Sequence, residues 1–118
     1  MDHVRPLQPL IIEVKTPDGF KILRLNSILY IEAVRKCSIV YLIDFNTIIT
    51  YHMLKWYEIK LLKSDFFRCH NSYIINCRFI DCYNNKEIML KDKKKISLSR
   101  NRVSSFKENL KYLHEEFS

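Results

Sequence analysis

The chain reads as a mostly β domain closed by a helical tail, and three observations carry that reading. Over roughly the first ninety positions, short runs of apolar residues alternate with polar ones at the strand period. Groups that favour turns, such as Thr16-Pro17-Asp18-Gly19 and Asn84-Asn85, separate those runs. From Ser99 the period becomes helical, with Val103, Phe106, Leu110 and Leu113 falling on one stripe.

Taken in order, "PLIIEVK" (9 to 15) predicts a first strand, and "TPDG" (16 to 19) turns it into "FKILRL" (20 to 25) as a hairpin. Asn26-Ser27 then leads into "ILYIEA" (28 to 33), rich in strand-forming residues. "VRKCS" (34 to 38) breaks the apolar pattern with two cations. "IVYLID" (39 to 44) and "TIITYH" (47 to 52) flank Phe45-Asn46 as a second hairpin. "MLKWYEIKLLKS" (53 to 64) fits a short amphipathic helix ended by Ser64-Asp65. The apolar run around 66 to 76 follows, then "RFIDCY" (78 to 83), the turn "NNKE", "IMLKD" (88 to 92) and "KKISLS" (94 to 99). No internal repeat, low-complexity tract or linker divides the chain, so one domain over 1–118 is expected.

Composition narrows the function. The 118 residues are 47% hydrophobic and hold one Gly, enough for a packed core with little glycine at its turns. No apolar run reaches the roughly 18 residues a membrane span needs, and the N-terminus lacks the form of a signal peptide. A cytoplasmic protein with no membrane partner is expected, its four cysteines reduced and mostly buried. Net charge is +7, and residues 86 to 102 hold seven basic residues against Glu87 and Asp92. That clustering, at Lys86, Lys91, Lys93, Lys94, Lys95, Arg100 and Arg102, points to a polyanion partner. A solvated hairpin turn is the plainer reading of the same lysines.

The stretch "FFRCHNSYIINCRFI" (66 to 80) sets a thiol, an imidazole, an amide and a hydroxyl side by side. Catalysis by Cys69 and His70 fails on geometry, because neighbours in an extended segment point to opposite faces. A metal site fails on spacing, since no C-x₂-C or H-x₃-H pair occurs. A phosphate loop fails because the one glycine sits in an early turn. No catalytic residue, cofactor, metal or small-molecule substrate is expected. Recognition remains: His70, Asn71 and Ser72 would stand on a loop lifted from an apolar frame. An Asn side chain can pair with an adenine edge, while His, Ser and Arg reach bases or phosphates. Asn71 or Ser72 could equally just cap the turn into "YIIN".

Three separated elements, "ILYIEA", "FFRCHNSYIIN" and "KKISLSRNRVSSFKENL", together resemble the LytTR DNA-binding domain over about residues 10 to 113. The central element is similar to the family's F-x-R-x-H-R-S-Y-[IL]-V-N, with Asn71 where many relatives have Arg. The resemblance implies about ten short strands in small antiparallel sheets with little helix, to which the chain's own periodicity adds one short internal helix and a C-terminal helix. It also implies loops placed in successive major grooves of double-stranded DNA, and a second copy on direct-repeat sites. By position, the loop Arg35-Lys36-Cys37-Ser38 would be one insertion and His70-Asn71 another, with Arg100 beside them. Ser38 stands where some relatives use a longer donor. The receiver domain usual in the family has no room here, which implies a free-standing domain or a fragment of a longer regulator.

The expected function is sequence-specific binding of duplex DNA by a bacterial transcription regulator. The expected contacts are Arg35, Lys36, Ser38, His70, Asn71, Ser72, Lys93, Lys94, Lys95, Arg100 and Arg102. Asn71, Arg100 and Arg35 are expected at base edges and the lysines at phosphates. Two rival expectations use the same charge. One is a protein-interaction module that binds an acidic partner, and the other is a single-strand binder, which would need aromatics exposed on a strand face.

Overall fold

The computed structural model describes residues 10–117, with side chains through residue 113. Pro9, expected in the first strand, lies outside the described residues, as do His3 and the side chain of His114. The elements in order are β1 (Ile11–Thr16), β2 (Gly19–Arg24), β3 (Ile28–Val34), β4 (Cys37–Leu42), β5 (Thr47–Thr50), α1 (Leu54–Lys60), β6 (Phe66–His70), β7 (Tyr73–Asn76), β8 (Ile80–Tyr83), β9 (Glu87–Leu90), β10 (Lys95–Ser97) and α2 (Val103–Phe117). Single 3-10 turns at Leu25–Ser27, Cys77–Phe79 and Arg100–Arg102 precede β3, β8 and α2. The expected mostly β class, with ten short strands and two helices, is what the chain adopts.

The strands form three antiparallel sheets: the hairpin β1-β2, a central sheet in the order β5-β4-β3-β7-β6, and a small sheet β10-β9-β8. The central sheet is covered on both faces. Ile28, Ile31, Val40 and Ile74 pack on one side against Val14 and Leu23 of the hairpin and Tyr57 of α1. Leu29, Tyr30, Cys69 and Ile75 pack on the other against Ile88, Leu90 and Ile96 of the small sheet and Phe106 of α2. Double coverage explains why "ILYIEA" and "YIIN" are nearly all apolar. A shift in pairing between Ile28 and Tyr30 puts Leu29 and Tyr30 into the same core despite their being neighbours.

Some element ends differ from expectation, each for a local reason. The internal helix stops at Lys60 rather than reaching Ser64. Its last amides tighten to i→i+3 bonds, from Leu62 to the Ile59 carbonyl and from Ser64 to that of Leu61, and Lys63 turns to φ 64°. Ile59 and Leu62, apolar residues of the expected helix, are exposed. The C-terminal helix begins at Val103, because Ser99 is held extended by its amide donating to the Cys69 carbonyl. In the first hairpin, the register of Ile12 with Leu23 leaves Leu23 as the buried residue of β2, with Phe20 and Ile22 outside.

Asn76, almost fully buried, closes the far end of the central sheet. Its amide donates to the carbonyl of Ile28 at 2.9 Å, and its Oδ1 accepts from the Arg78 amide at 3.0 Å. Polar groups so placed keep a buried β-strand end from leaving carbonyls unpaired.

Two stability outcomes follow. Phe106 is fully buried against Phe67 and Tyr83, so Phe106→Ala should cost about 3–5 kcal/mol in urea unfolding. Exposed Tyr112→Ala should stay within about 0.5 kcal/mol. Burial also pushes the thiols of Cys69 and Cys77 and the hydroxyl of Tyr57 up to about 12. An unfolded chain gives up those protons from about pH 9 to 10, so there the native state binds more protons. Stability should therefore be full below about pH 9 and fall as pH rises toward 12, seen as a lower urea midpoint at about pH 10.5 than at pH 7. An unchanged midpoint would contradict this.

Candidate nucleic-acid interface

Two short turns project from one end of the central sheet. In the first, Val34 pairs with Cys37, which leaves only Arg35 and Lys36 to reverse the chain. A two-residue connection needs left-handed backbone, and Arg35 supplies it at φ 56° without being Gly or Asn. That conformation costs of order 1 kcal/mol in a residue with a Cβ. Both cations are exposed.

The second turn is Asn71-Ser72, between β6 and β7, and three side chains brace it. His70 Nδ1 accepts from the Ser72 amide at 3.1 Å, which leaves Nε2 as the nitrogen that carries the proton of the neutral ring. The Arg68 guanidinium donates to the Asn71 carbonyl at 2.9 Å and pairs with Glu58 of α1 at 3.1 Å. Arg102 donates to the Arg68 carbonyl at 3.2 Å and approaches Asn71 Oδ1 at 3.4 Å. Asn71 is exposed, and His70 and Ser72 are half-buried.

Strand pairing brings the two turns together. Glu32 lies opposite Tyr73, and the Ala33 amide donates to the Ser72 carbonyl at 2.9 Å. The third expected element arrives through Ser99 on Cys69 and Arg102 on the Asn71 turn, which sets exposed Arg100 beside it. Arg35, Lys36, His70, Asn71, Ser72, Arg100 and Arg102 thus share one end of the sheet.

Other expected residues are placed differently. Lys93, Lys94 and Lys95 occupy the β9–β10 turn and the start of β10, with Lys93 at φ 77°. They connect to the sheet through Lys94, whose Nζ stands 5.9 Å from the ring of Tyr30, while Lys95 faces Glu87 at 3.9 Å. Ser38 is a correction: it is fully buried in β4, and its hydroxyl donates to the His52 carbonyl at 2.5 Å. Buried there, the hydroxyl lies off the exposed surface of the Arg35-Lys36 turn. Period-two spacing carried the warning, since Ser38 shares its face with buried Val40.

Arg68 and Glu32 were not singled out from sequence. Glu32 accepts hydrogen bonds from Tyr41 on β4 at 2.7 Å and Tyr73 on β7 at 3.3 Å. The position of Arg68 beside the polar triplet was visible, but its three-way bracing depends on α1 and the C-terminal segment. Nothing local in the sequence signals the Glu32 bridge.

The arrangement offers hydrogen-bond donors and positive charge on exposed turns, without a protruding helix. Among the described residues, no group of three His, Cys, Asp or Glu could hold a metal ion, and no helix is long and apolar enough to cross a membrane. Cys69 is fully buried, and burial is the main cause that pushes its thiol up to about 12, far from a reactive thiolate. In native protein a thiol reagent at about pH 8 should therefore modify exposed Cys82 quickly and Cys69 and Cys77 only on unfolding. Rapid native labelling of Cys69, read by peptide mass spectrometry, would contradict this.

The comparisons with known proteins agree with this architecture. A family model described as the LytTr DNA-binding domain matches residues 18–111, from the first turn to within α2. Among solved structures, one described as the LytTr DNA-binding domain of a methyl-accepting/DNA response regulator from Bacillus cereus superposes with a TM-score of 0.73. It is 24% identical and covers 86% of this chain and 97% of its own, a likeness that shows the fold. No curated protein sequence matches. With its three small sheets in this order and the family's pattern spanning most of its length, the chain belongs to the LytTR family.

Proposed function

We propose that the domain binds double-stranded DNA sequence-specifically, as a transcription regulator of the bacterial cytoplasm. The turns at Arg35-Lys36 and His70-Asn71-Ser72 enter successive major grooves, and Arg100 reaches the duplex beside them. The observation that carries this reading is their convergence on one end of the central sheet, built by the Ala33–Ser72 hydrogen bond and the Ser99–Cys69 bond. Exposed Asn71, Arg100 and Arg35 offer side chains of the type that read base edges. Lys36 and Lys93 to Lys95 neutralise phosphates and set most of the salt dependence. Arg102 contributes chiefly by holding the Asn71 turn, since it already donates to Arg68 and Asn71. A second copy on a direct repeat adds affinity in the same way.

Asn71→Ala is the direct test. It should weaken binding to a preferred duplex by about 1–3 kcal/mol and leave random duplex nearly unchanged. Lys36→Ala should weaken both alike and reduce the slope of log affinity against log salt by about one. Equal losses for both duplexes on Asn71→Ala would mean that Asn71 does not read sequence. A basic face that served an acidic protein instead would show salt-sensitive DNA binding with no preference among duplexes.

A further inference from the structure

We propose that Glu32 is a positioning residue for sequence recognition: its carboxylate, bridging Tyr41 and Tyr73, sets the spacing between the Arg35-Lys36 and Asn71-Ser72 turns. The proposal rests on the DNA-binding reading above and names what tunes it.

The geometry is a side-chain tie across three adjacent strands. Glu32 sits on β3 with Ile39 of β4 and Tyr73 of β7 as its backbone partners. Its Oε1 accepts from the Tyr41 hydroxyl and its Oε2 from the Tyr73 hydroxyl, so both oxygens are occupied. Both hydroxyls are protonated donors at neutral pH, as any tyrosine is, and burial together with Glu32 pushes them further up, that of Tyr41 to about 12.

The tie lies where backbone pairing runs out. The last β3–β7 rung is Ala33 to Ser72, and the pairing of β6 with β7 shifts between Arg68 and His70. Beyond those points the two turns project without a shared ladder. Tyr73 directly follows Ser72, and its ring lies 5.9 Å from that of His70. Tyr41 stacks on Tyr30 at 4.2 Å, and Tyr30 carries Lys94 over its ring. Displacing the carboxylate therefore disturbs both turns and the lysine turn together.

Charge sharpens the inference. A carboxylate near phosphates is repulsive, so Glu32 opposes the non-specific part of DNA binding. The bridging geometry is what it contributes in return. A tie that fixes two readers relative to each other acts on specificity, because only the matched duplex needs both turns in register.

The experiment is selection of duplexes from a random pool at about 150 mM salt with wild type, Tyr73→Phe, Glu32→Ala and Glu32→Gln, followed by competition of the selected motif against random duplex. A thermal melt shows that each variant is folded. Tyr73→Phe removes a single hydroxyl, and Glu32→Gln keeps an acceptor and a donor in place of the charge. Tyr73→Phe and Glu32→Ala should lower the preference for the motif by roughly tenfold, as expected for a hydrogen bond to a charged group. Glu32→Gln should retain most of that preference, and random-duplex affinity should hold or rise in both charge-removing variants. Equal effects of Gln and Ala would assign the effect to charge and overturn the bridge. A Tyr73→Phe variant as selective as a selective wild type would overturn the proposal alone. A wild type with no preference among duplexes would overturn the DNA-reading assignment and the proposal with it.

Discussion

The register between β3 and β7 is the constraint on which the rest of the molecule depends. These two strands are not neighbours in sequence, and their pairing of Tyr30 with Ile75 and Glu32 with Tyr73 closes the central sheet. A slip by one residue would turn Ile74 and Ile75 each toward the wrong core. The same register sets the Arg35-Lys36 turn beside the Asn71-Ser72 turn through the Ala33–Ser72 bond. Fold and site are thus specified by one ladder. Because both faces of the sheet are buried, apolar packing rather than local propensity enforces it.

A recognition surface made of turns has different physics from one made of a helix. A two-residue turn offers few side chains, so each must be held tightly to give specificity. In the proposed interface the Asn71 turn is held by His70, Arg68 and Arg102, which use their polar groups on its backbone and on Asn71 itself. The Arg35 turn has a left-handed backbone at φ 56° pinned by the Val34–Cys37 pair. The positive charge nearby is arranged more loosely, on exposed lysines, as suits contacts to a phosphate backbone that carries no sequence information. The three braces tie β6, α1 and the segment entering α2 to the Asn71-Ser72 turn, and only Arg102 reaches the Asn71 side chain.

Much of this was legible in the sequence because two periods dominate it. Alternation marked nearly every strand, and the stripe Val103, Phe106, Leu110 and Leu113 marked the final helix, where Phe106 and Leu113 are buried. The polar breaks at Arg35-Lys36 and His70-Ser72 stood out because they interrupt apolar strands. What stayed hidden depends on contacts distant in sequence. Ser38 looked like part of a loop until the two-residue turn drew it into β4, where the face it shares with Val40 is core. Leu29 and Tyr30 face one core only because of a bulge. Arg102 sits in the basic cluster by sequence, yet both its terminal nitrogens are engaged at the distant turn, on the Arg68 carbonyl and Asn71 Oδ1. Glu32 read as an ordinary polar position of a strand, since its two tyrosines come from separate strands.

Mapping the DNA-binding surface residue by residue tests most directly whether the two turns meet the duplex. The measurement is a titration of isotope-labelled domain with a selected duplex at about 150 mM salt, followed by backbone amide chemical shifts. The largest changes are expected at Arg35, Lys36, Asn71, Ser72 and Arg100, with smaller ones along the Lys93 to Lys95 turn. If those amides stay still while residues lining the groove between α1 and α2, such as Leu62 and Tyr112, or the outer face of β2 at Phe20 and Ile22 respond, the turns do not meet the DNA and the central claim is wrong.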